Sequence, residues 1–137
     1  MSESGCLFCK IVRAEIPSFK VYEDDRTFAF LDIRPVNEGH TLVVPKTHTL
    51  NIFDVSPEDW SAVTETVRKL SGTIEQALSA SGINLMMNNR EHAGQIVDHL
   101  HVHIIPRFTS DGLMHWPQHS YPAGEGEAAQ KKILAAL

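Results

Sequence analysis

Histidine and aliphatic residues alternate through His99-Leu100-His101-Val102-His103-Ile104-Ile105, a run closed by Pro106 and Arg107. Few conformations satisfy this pattern. In an extended strand, successive side chains turn to opposite faces, so the three imidazoles line one face while Leu100, Val102 and Ile104 line the other. The apolar row needs a core to cover it. The imidazole row supplies rings that titrate near neutrality and serve as nucleophile, proton carrier or metal ligand. An affinity tag would sit at a terminus and would not be interleaved with Leu, Val and Ile.

The 137 residues suffice for a single domain with its own core, expected over residues 1–137 with the core at about 6–107 and a tail at 108–137. With 42% hydrophobic and 21% charged residues, the chain reads as soluble and globular. No apolar run approaches the ~20 residues that span a bilayer, and Met1-Ser2-Glu3-Ser4 lacks the basic start of a signal peptide. Neither a membrane nor export is expected. A formal charge of −5 argues against a nucleic-acid polymer as partner, because that role calls for clustered Lys and Arg. A small phosphorylated ligand needs only local donors. Cys6 and Cys9, the only cysteines, are too few for a disulfide framework and fit a reducing cytoplasm.

Local patterns predict an α+β fold, an antiparallel sheet with one long helix and a short N-terminal helix, the helices on one face. A short helix is expected over Leu7–Arg13. Strands are expected over Lys20–Glu23 and Thr27–Leu31, joined at Asp24-Asp25, and over His40–Val44. The long helix opens with Ser56 as cap, Pro57 in its first position and Asp59 completing a capping-box pattern. Trp60, Val63, Val67, Leu70, Ile74 and Leu78 recur at three and four residues as one apolar stripe, and Gly82 is placed to end it. Ile83–Met87 and Val97–Ile105 are further strands, and Glu127–Leu137 a terminal helix. Trp60, Met86 and Met87 read as core residues.

Asn88-Asn89-Arg90-Glu91-His92-Ala93-Gly94-Gln95-Ile96 joins two of these strands through a small-residue turn. Gly94 and Gln95 thereby offer backbone N–H groups and an amide beside the histidines, a small anion nest next to nucleophilic rings. Cys6-x-x-Cys9 is a common zinc half-site; two free buried thiols are the alternative.

The histidine run resembles the histidine-triad (HIT) signature, in which three histidines alternate with apolar residues. The likeness extends from Cys6 to Arg107 through Ile16-Pro17, Tyr22-Glu23-Asp24-Asp25, Phe30-Leu31-Asp32-Ile33-Arg34-Pro35, Gly39-His40-Thr41-Leu42-Val43-Val44-Pro45-Lys46, Asn88 and Gly94-Gln95. It is nearest to the bacterial HIT and Hint-type hydrolases. The resemblance implies a homodimeric α+β protein that binds a purine nucleotide such as AMP or GMP and cleaves bonds at the α-phosphate of phosphoramidates, adenylates or dinucleoside polyphosphates.

By the same resemblance, His101 attacks phosphorus and carries a nucleotidyl intermediate. His103, Gly94, Gln95 and the Ile96 N–H bind phosphate oxygens with Asn88 assisting, and Asp32 accepts from the ribose hydroxyls with Ile33 beside it. Leu7, Phe8, Ile11 and Phe30 form an apolar base slot, although core packing is an equal reading for any one of them. His40 corresponds to a family histidine near the triad, with a supporting role. Zinc bound by Cys6, Cys9, His48 and His99 matches some bacterial members, and Met114-His115-Trp116-Pro117 resembles the C-terminal end of Hint-type proteins. The central stripe and a strand edge at Val97–Ile105 are the pairing surfaces for the dimer. Many relatives carry a hydroxyl residue where this chain has Ile96, which has only its backbone N–H to donate. A nucleotide-binding regulatory module with little catalysis, and a zinc-stabilised interaction domain, are the alternatives; an intact His101 favours the enzyme.

Overall fold

The computed structural model of the chain describes residues 3–137. Met1 and Ser2, the first half of the segment read above for an export signal, lie outside the described residues. The elements in chain order are α1 (Leu7–Val12), β1 (Lys20–Glu23), β2 (Thr27–Leu31), β3 (Thr41–Pro45), α2 (Pro57–Leu78), β4 (Gly82–Met86), β5 (Val102–Arg107) and α3 (Glu125–Leu134). The strands form one sheet in the order β1-β2-β3-β5-β4, with every neighbouring pair antiparallel. This is the α+β architecture expected from the sequence.

Helix α2 starts as its sequence dictates: Ser56 Oγ accepts from the Asp59 N–H at 3.1 Å, with Pro57 in the first turn. The capping box is only half formed, because the Asp59 carboxylate takes the Arg26 guanidinium at 2.9 Å instead. The expected end at Gly82 is wrong. The helix closes on Ser79, left-handed at φ 52° and ψ 41°, with the Ala80 N–H returning to the Glu75 carbonyl, so Gly82 is free to open β4.

The helices do not share one face. Val63, Val67, Leu70 and Ile74 of α2 pack with Ala29, Val43, Leu100, Val102 and Ile104 on one side of the sheet. On the other, Cys6, Phe8, Cys9 and Ile11, from α1 and its cap, pack with Phe28, Phe30, Leu42 and Val44. Strand β3 is therefore covered on both faces and buried at all five residues. Coverage on both faces explains its apolar run from Leu42 to Pro45.

The histidine strand is also shorter than expected. Regular pairing of β5 begins at Val102, opposite Val43 of β3, rather than at Val97. Continuing the ladder toward residue 97 would bring it to Pro45, which has no N–H to give. The chain departs there: the His99 N–H turns back to the Val97 carbonyl, and the Leu100 N–H goes to the Thr49 carbonyl. Nor is this segment an edge, since β5 lies between β3 and β4. The edges are β1 and β4.

Beyond β5, the Asp111 carboxylate receives Arg107 Nε at 2.7 Å and Nη2 at 2.9 Å, the Asn37 amide at 3.0 Å and two backbone N–H groups. These donors hold its carboxyl far below the usual range and moor the start of the tail. Trp116 and Met114 are exposed beyond it, and α3 has no buried residue.

Gly39 turns the chain into β3 at φ +83°, where a Cβ would strike the Leu78 side chain and lie 3.4 Å from Pro106 Cγ. Gly39→Ala is expected to cost about 1–2 kcal/mol in denaturant unfolding. Unchanged stability would show that the turn relaxes freely.

Candidate active site and metal centre

The side-chain alternation outlives the regular strand. Leu100, Val102 and Ile104 enter the α2-side core, while the three imidazoles turn to the α1 side. His99 is fully buried, His101 almost so, and His103 half-buried. The Phe8 ring stands edge-on to His101 with centroids 5.2 Å apart, and His103 lies 5.0 Å from His101.

Backbone groups fix which nitrogen of each ring carries hydrogen. The His99 carbonyl accepts from His101 Nδ1 at 2.7 Å, so Nδ1 is protonated and the Nε2 lone pair is free. The Pro45 carbonyl accepts from His99 Nε2 at 2.8 Å, leaving the His99 Nδ1 lone pair for another partner. The Val36 N–H donates to His40 Nδ1 at 3.1 Å, so His40 holds its hydrogen on Nε2 and donates it to His103 Nδ1 at 2.9 Å. His103 is left with an outward Nε2–H. The site thus presents one nucleophilic nitrogen and, on the next ring of the row, one hydrogen-bond donor.

Below them lies a second cluster. Cys6, Cys9, His48 and His99 place one ligand atom each within 4.8 Å of one another. The nitrogen–sulfur separations are 3.3 Å for His48 Nδ1 to Cys9, and 3.4 and 3.5 Å for His99 Nδ1 to Cys6 and Cys9. A tetrahedral ion bonded to sulfur at ~2.3 Å and nitrogen at ~2.0 Å would hold these atoms roughly 3.5 Å apart, so the donor set fits zinc. The Pro45 carbonyl, by keeping the His99 proton on Nε2, is the outer contact that such a ligand needs. Without an ion, burial and then the neighbouring Cys6 push the Cys9 thiol up to about 12. Asp32, His40 and His103 also converge within 4.8 Å. There the Val36 N–H keeps His40 Nε2 protonated, which makes that nitrogen a donor rather than a ligand.

The turn at 91–95 is built differently from the expected anion nest. The Gln95 amide is buried and fully engaged: its oxygen accepts from the Arg90 N–H at 2.7 Å, and its nitrogen donates to the carbonyls of Leu50 at 2.6 Å and Val97 at 3.0 Å. Even its backbone N–H goes to the Arg90 carbonyl. Gln95 therefore shapes the turn and has no hydrogen left for a phosphate. Asn88 braces it by donating to the Gly94 carbonyl at 3.2 Å, with Gly94 at φ +89°. The Ile96 side chain is 91% exposed.

Of the apolar positions read as a base slot, Phe8, Ile11 and Phe30 are buried and Leu7 is 43% exposed; Ile33, beside Asp32, is 81% exposed. Phe8 and Phe30 meet edge-on at 5.4 Å. Asp32 accepts the Arg34 N–H through Oδ1, and its Oδ2 lies 3.9 Å from His40 Nε2. The family resemblance implies a backbone carbonyl as the acceptor for the His101 N–H, and it is that of His99; the Pro45 carbonyl and the Val36 N–H escaped the sequence reading. They are backbone groups, and no residue type announces them.

Burial lowers the pKa of His101 and His40, and together with the charges of His101 and His40 it takes His103 down to about 4. An unfolded imidazole gains its proton as pH falls through about 6.5, and His103 in the fold does so only near 4. The unfolded chain binds more protons across that interval, so stability present above pH ~6.5 is lost on acidification toward pH ~4. The melting temperature is expected to fall over this window, and less steeply in His103→Gln. An equal slope in both proteins contradicts the assignment.

A family model described as HIT domain matches residues 13–110. Protein hit from Bacillus subtilis is 47% identical over 104 residues, covering 76% of this chain and 72% of that protein. Adenosine 5'-monophosphoramidase HNT1 from Saccharomyces cerevisiae is 36% identical over 137 residues, covering 98% and 84%. Among solved structures, a protein from Streptococcus mutans superposes with a TM-score of 0.91 at 40% identity, over 98% of this chain and 87% of that one. A zinc-bound histidine triad family protein from Mycobacterium smegmatis superposes with a TM-score of 0.78 at 33% identity, over 99% and 100%. A matching family model over most of the chain, relatives of this identity and a shared fold lead to one conclusion: the chain belongs to the HIT family.

Proposed function

We propose that the chain is a nucleotide hydrolase or transferase that cleaves the α-phosphate bond of purine nucleotide conjugates through a nucleotidyl group on His101. Phosphoramidates, adenylates and dinucleoside polyphosphates are the substrate class. The observation that carries the reading is the 2.7 Å hydrogen bond from His101 Nδ1 to the His99 carbonyl, which leaves Nε2 unprotonated on a ring that burial keeps neutral. The monophosphoramidase relative supports the reaction type.

In the proposed first step, His101 Nε2 forms a bond to the α-phosphorus while the bond to the leaving group breaks and its electron pair departs with that group. His103 Nε2–H donates a hydrogen bond to a phosphate oxygen, and an amine leaving group takes its proton from solvent water. The His99 carbonyl stabilises the positive charge that develops on the attacking ring. Water then displaces the nucleotide from Nε2, and the electron pair of the N–P bond returns to the ring, splitting one hard displacement into two. Asp32 receives the ribose hydroxyls, the exposed side chains of Leu7 and Ile33 border the base, and Phe8, Ile11 and Phe30 form the floor beneath it. Gly94 and the Ile96 N–H face the phosphate, with Gln95 and Asn88 holding the turn.

Zinc at Cys6, Cys9, His48 and His99 is the second part of the proposal, supported by the donor geometry and by the zinc-bound relative. When bound, the ion ties α1 to the sheet, a helix of six residues that has little stability of its own.

A homodimer formed along β4 is the third part. That edge carries no charge, Leu85 on it is 55% exposed, and Trp60, Val67, Met86, Met87 and Val102 line a groove of about 510 Å³ beside it. Edge β1, in contrast, carries Lys20 and Glu23 and an irregular register, features that discourage pairing. Among the described residues no helix is long and apolar enough to cross a membrane.

His101→Ala is expected to lower turnover of adenosine phosphoramidate by several orders of magnitude while AMP still binds, since the rest of the pocket remains. Comparable turnover by both proteins would sink the nucleophile assignment. Metal analysis is expected to give about one zinc per chain, with chelation lowering the melting temperature more than the initial rate. Metal-free protein of unchanged stability, with both thiols freely alkylated, rules the site out. Sedimentation is expected to show a dimer that Leu85→Lys converts to monomer; a monomeric parent protein at micromolar concentration would refute the β4 interface.

A further inference from the structure

Arg90 occupies a backbone conformation that only glycine adopts without strain, φ 74° and ψ 159°. It is held there firmly. Its N–H donates to Gln95 Oε1 at 2.7 Å, and its carbonyl accepts from the N–H groups of Gln95 and Ala93 at 3.2 and 3.1 Å. A strained non-glycine residue that the surroundings over-determine calls for a use of its side chain.

The side chain is equally unusual. The Arg90 guanidinium lies 4.4 Å over the ring of Phe53, which is 68% exposed, and among the described residues no carboxylate pairs with it. The nearby Asp54 is spent on the N–H groups of Leu50 and Asn51 at 3.0 and 2.9 Å. The Phe53 loop is stitched to the site: the Thr49 carbonyl takes the Leu100 N–H, the Leu50 carbonyl takes the Gln95 amide, and the Ile52 N–H goes to Asn89 Oδ1. Arg90 itself stands four residues past Met86, which is the register partner of His103.

We propose that Arg90, stacked on Phe53, forms a leaving-group subsite for a departing tetrahedral oxyanion, either sulfate or a phosphate chain. This rests on the nucleotide reading given above. The base-slot residues come from α1, β2 and the loop that follows β2. Arg90 and Phe53 come from the loops that follow β4 and β3, so a nucleotide with its α-phosphate at His101 directs its leaving group toward them. Ile96, next to the turn, has no side-chain donor for that group, and the unpaired guanidinium has several.

The chemistry distinguishes two kinds of substrate. As His101 Nε2 bonds to phosphorus, the P–O bond to sulfate or phosphate breaks and its electron pair stays on the departing oxygen, which needs a positive partner but no proton. An amine leaving group takes the same electron pair on nitrogen and needs a proton as well, which it takes from solvent. Arg90 acts on the first kind. In both, water then bonds to phosphorus, the N–P pair returns to Nε2, and one water proton passes to solvent.

The test compares kcat/KM for adenylyl sulfate, diadenosine triphosphate and adenosine phosphoramidate in the full chain and in Arg90→Gly, Arg90→Gln and Arg90→Lys. The ratio of oxyanion-leaving to amine-leaving substrate is expected to fall roughly ten- to a hundredfold in the Gly and Gln variants and within about threefold in Lys. A fall confined to adenylyl sulfate assigns the subsite to sulfate, and one confined to the triphosphate assigns it to a phosphate chain. Because both variants lose the guanidinium and only glycine relieves the backbone, Arg90→Gly is expected to melt at least about 3 °C above Arg90→Gln. Turnover of all substrates with an unchanged ratio overturns the subsite alone. Absence of turnover by the parent chain overturns the nucleotide reading and the subsite with it.

Discussion

One residue, His99, joins the two halves of the site through three hydrogen-bonding groups. Its Nε2–H donates to the Pro45 carbonyl, its Nδ1 lone pair faces the sulfurs of Cys6 and Cys9, and its own carbonyl accepts a hydrogen bond from His101 Nδ1–H. None of this would be possible inside a regular ladder, where the carbonyls of Pro45 and His99 would be drawn into strand pairing. The missing N–H of Pro45 interrupts β3–β5 pairing where the histidine row begins, and the released backbone groups then set the state of the rings.

Burial does the rest. The α1 side of the sheet is covered by Phe8 and Phe30, so the imidazoles lose water and stay neutral, the state in which a nitrogen lone pair attacks. The same low-dielectric setting makes each backbone contact stronger than it would be in water. Phe8 lies between the two cysteines in sequence and packs on both His99 and His101. The helix that carries half of the metal donors therefore also fixes the ring of the nucleophile.

Much of this was legible in the sequence. The alternation of His with Leu, Val and Ile sorted the two faces of the histidine segment correctly, even where regular pairing stops. The spacing of Val63, Val67, Leu70 and Ile74 identified the helix that covers the apolar face. Ser56 and Pro57 marked its start. Its end was misplaced because Ser79 accepts a left-handed conformation more often assigned to glycine. The uniform burial of β3 on both faces gave no periodicity from which to place α1. Gln95 was misjudged for a related reason: an amide beside a turn reads as a ligand donor, but its three hydrogen bonds go to backbone atoms up to 45 residues away. Arg90 carried no signal at all, because its strain is a property of φ and ψ.

The central claim is that backbone acceptors and donors hold each histidine in a defined tautomer, with His101 alone among the active-site rings carrying its hydrogen on Nδ1. Long-range proton–nitrogen correlation spectra of the selectively labelled histidines at pH 7 measure this directly. His101 is expected to appear as the Nδ1–H form with an unprotonated Nε2, and His40, His99 and His103 as Nε2–H forms. A protonated Nε2 on His101, or rapid exchange between its two forms, contradicts the mechanism.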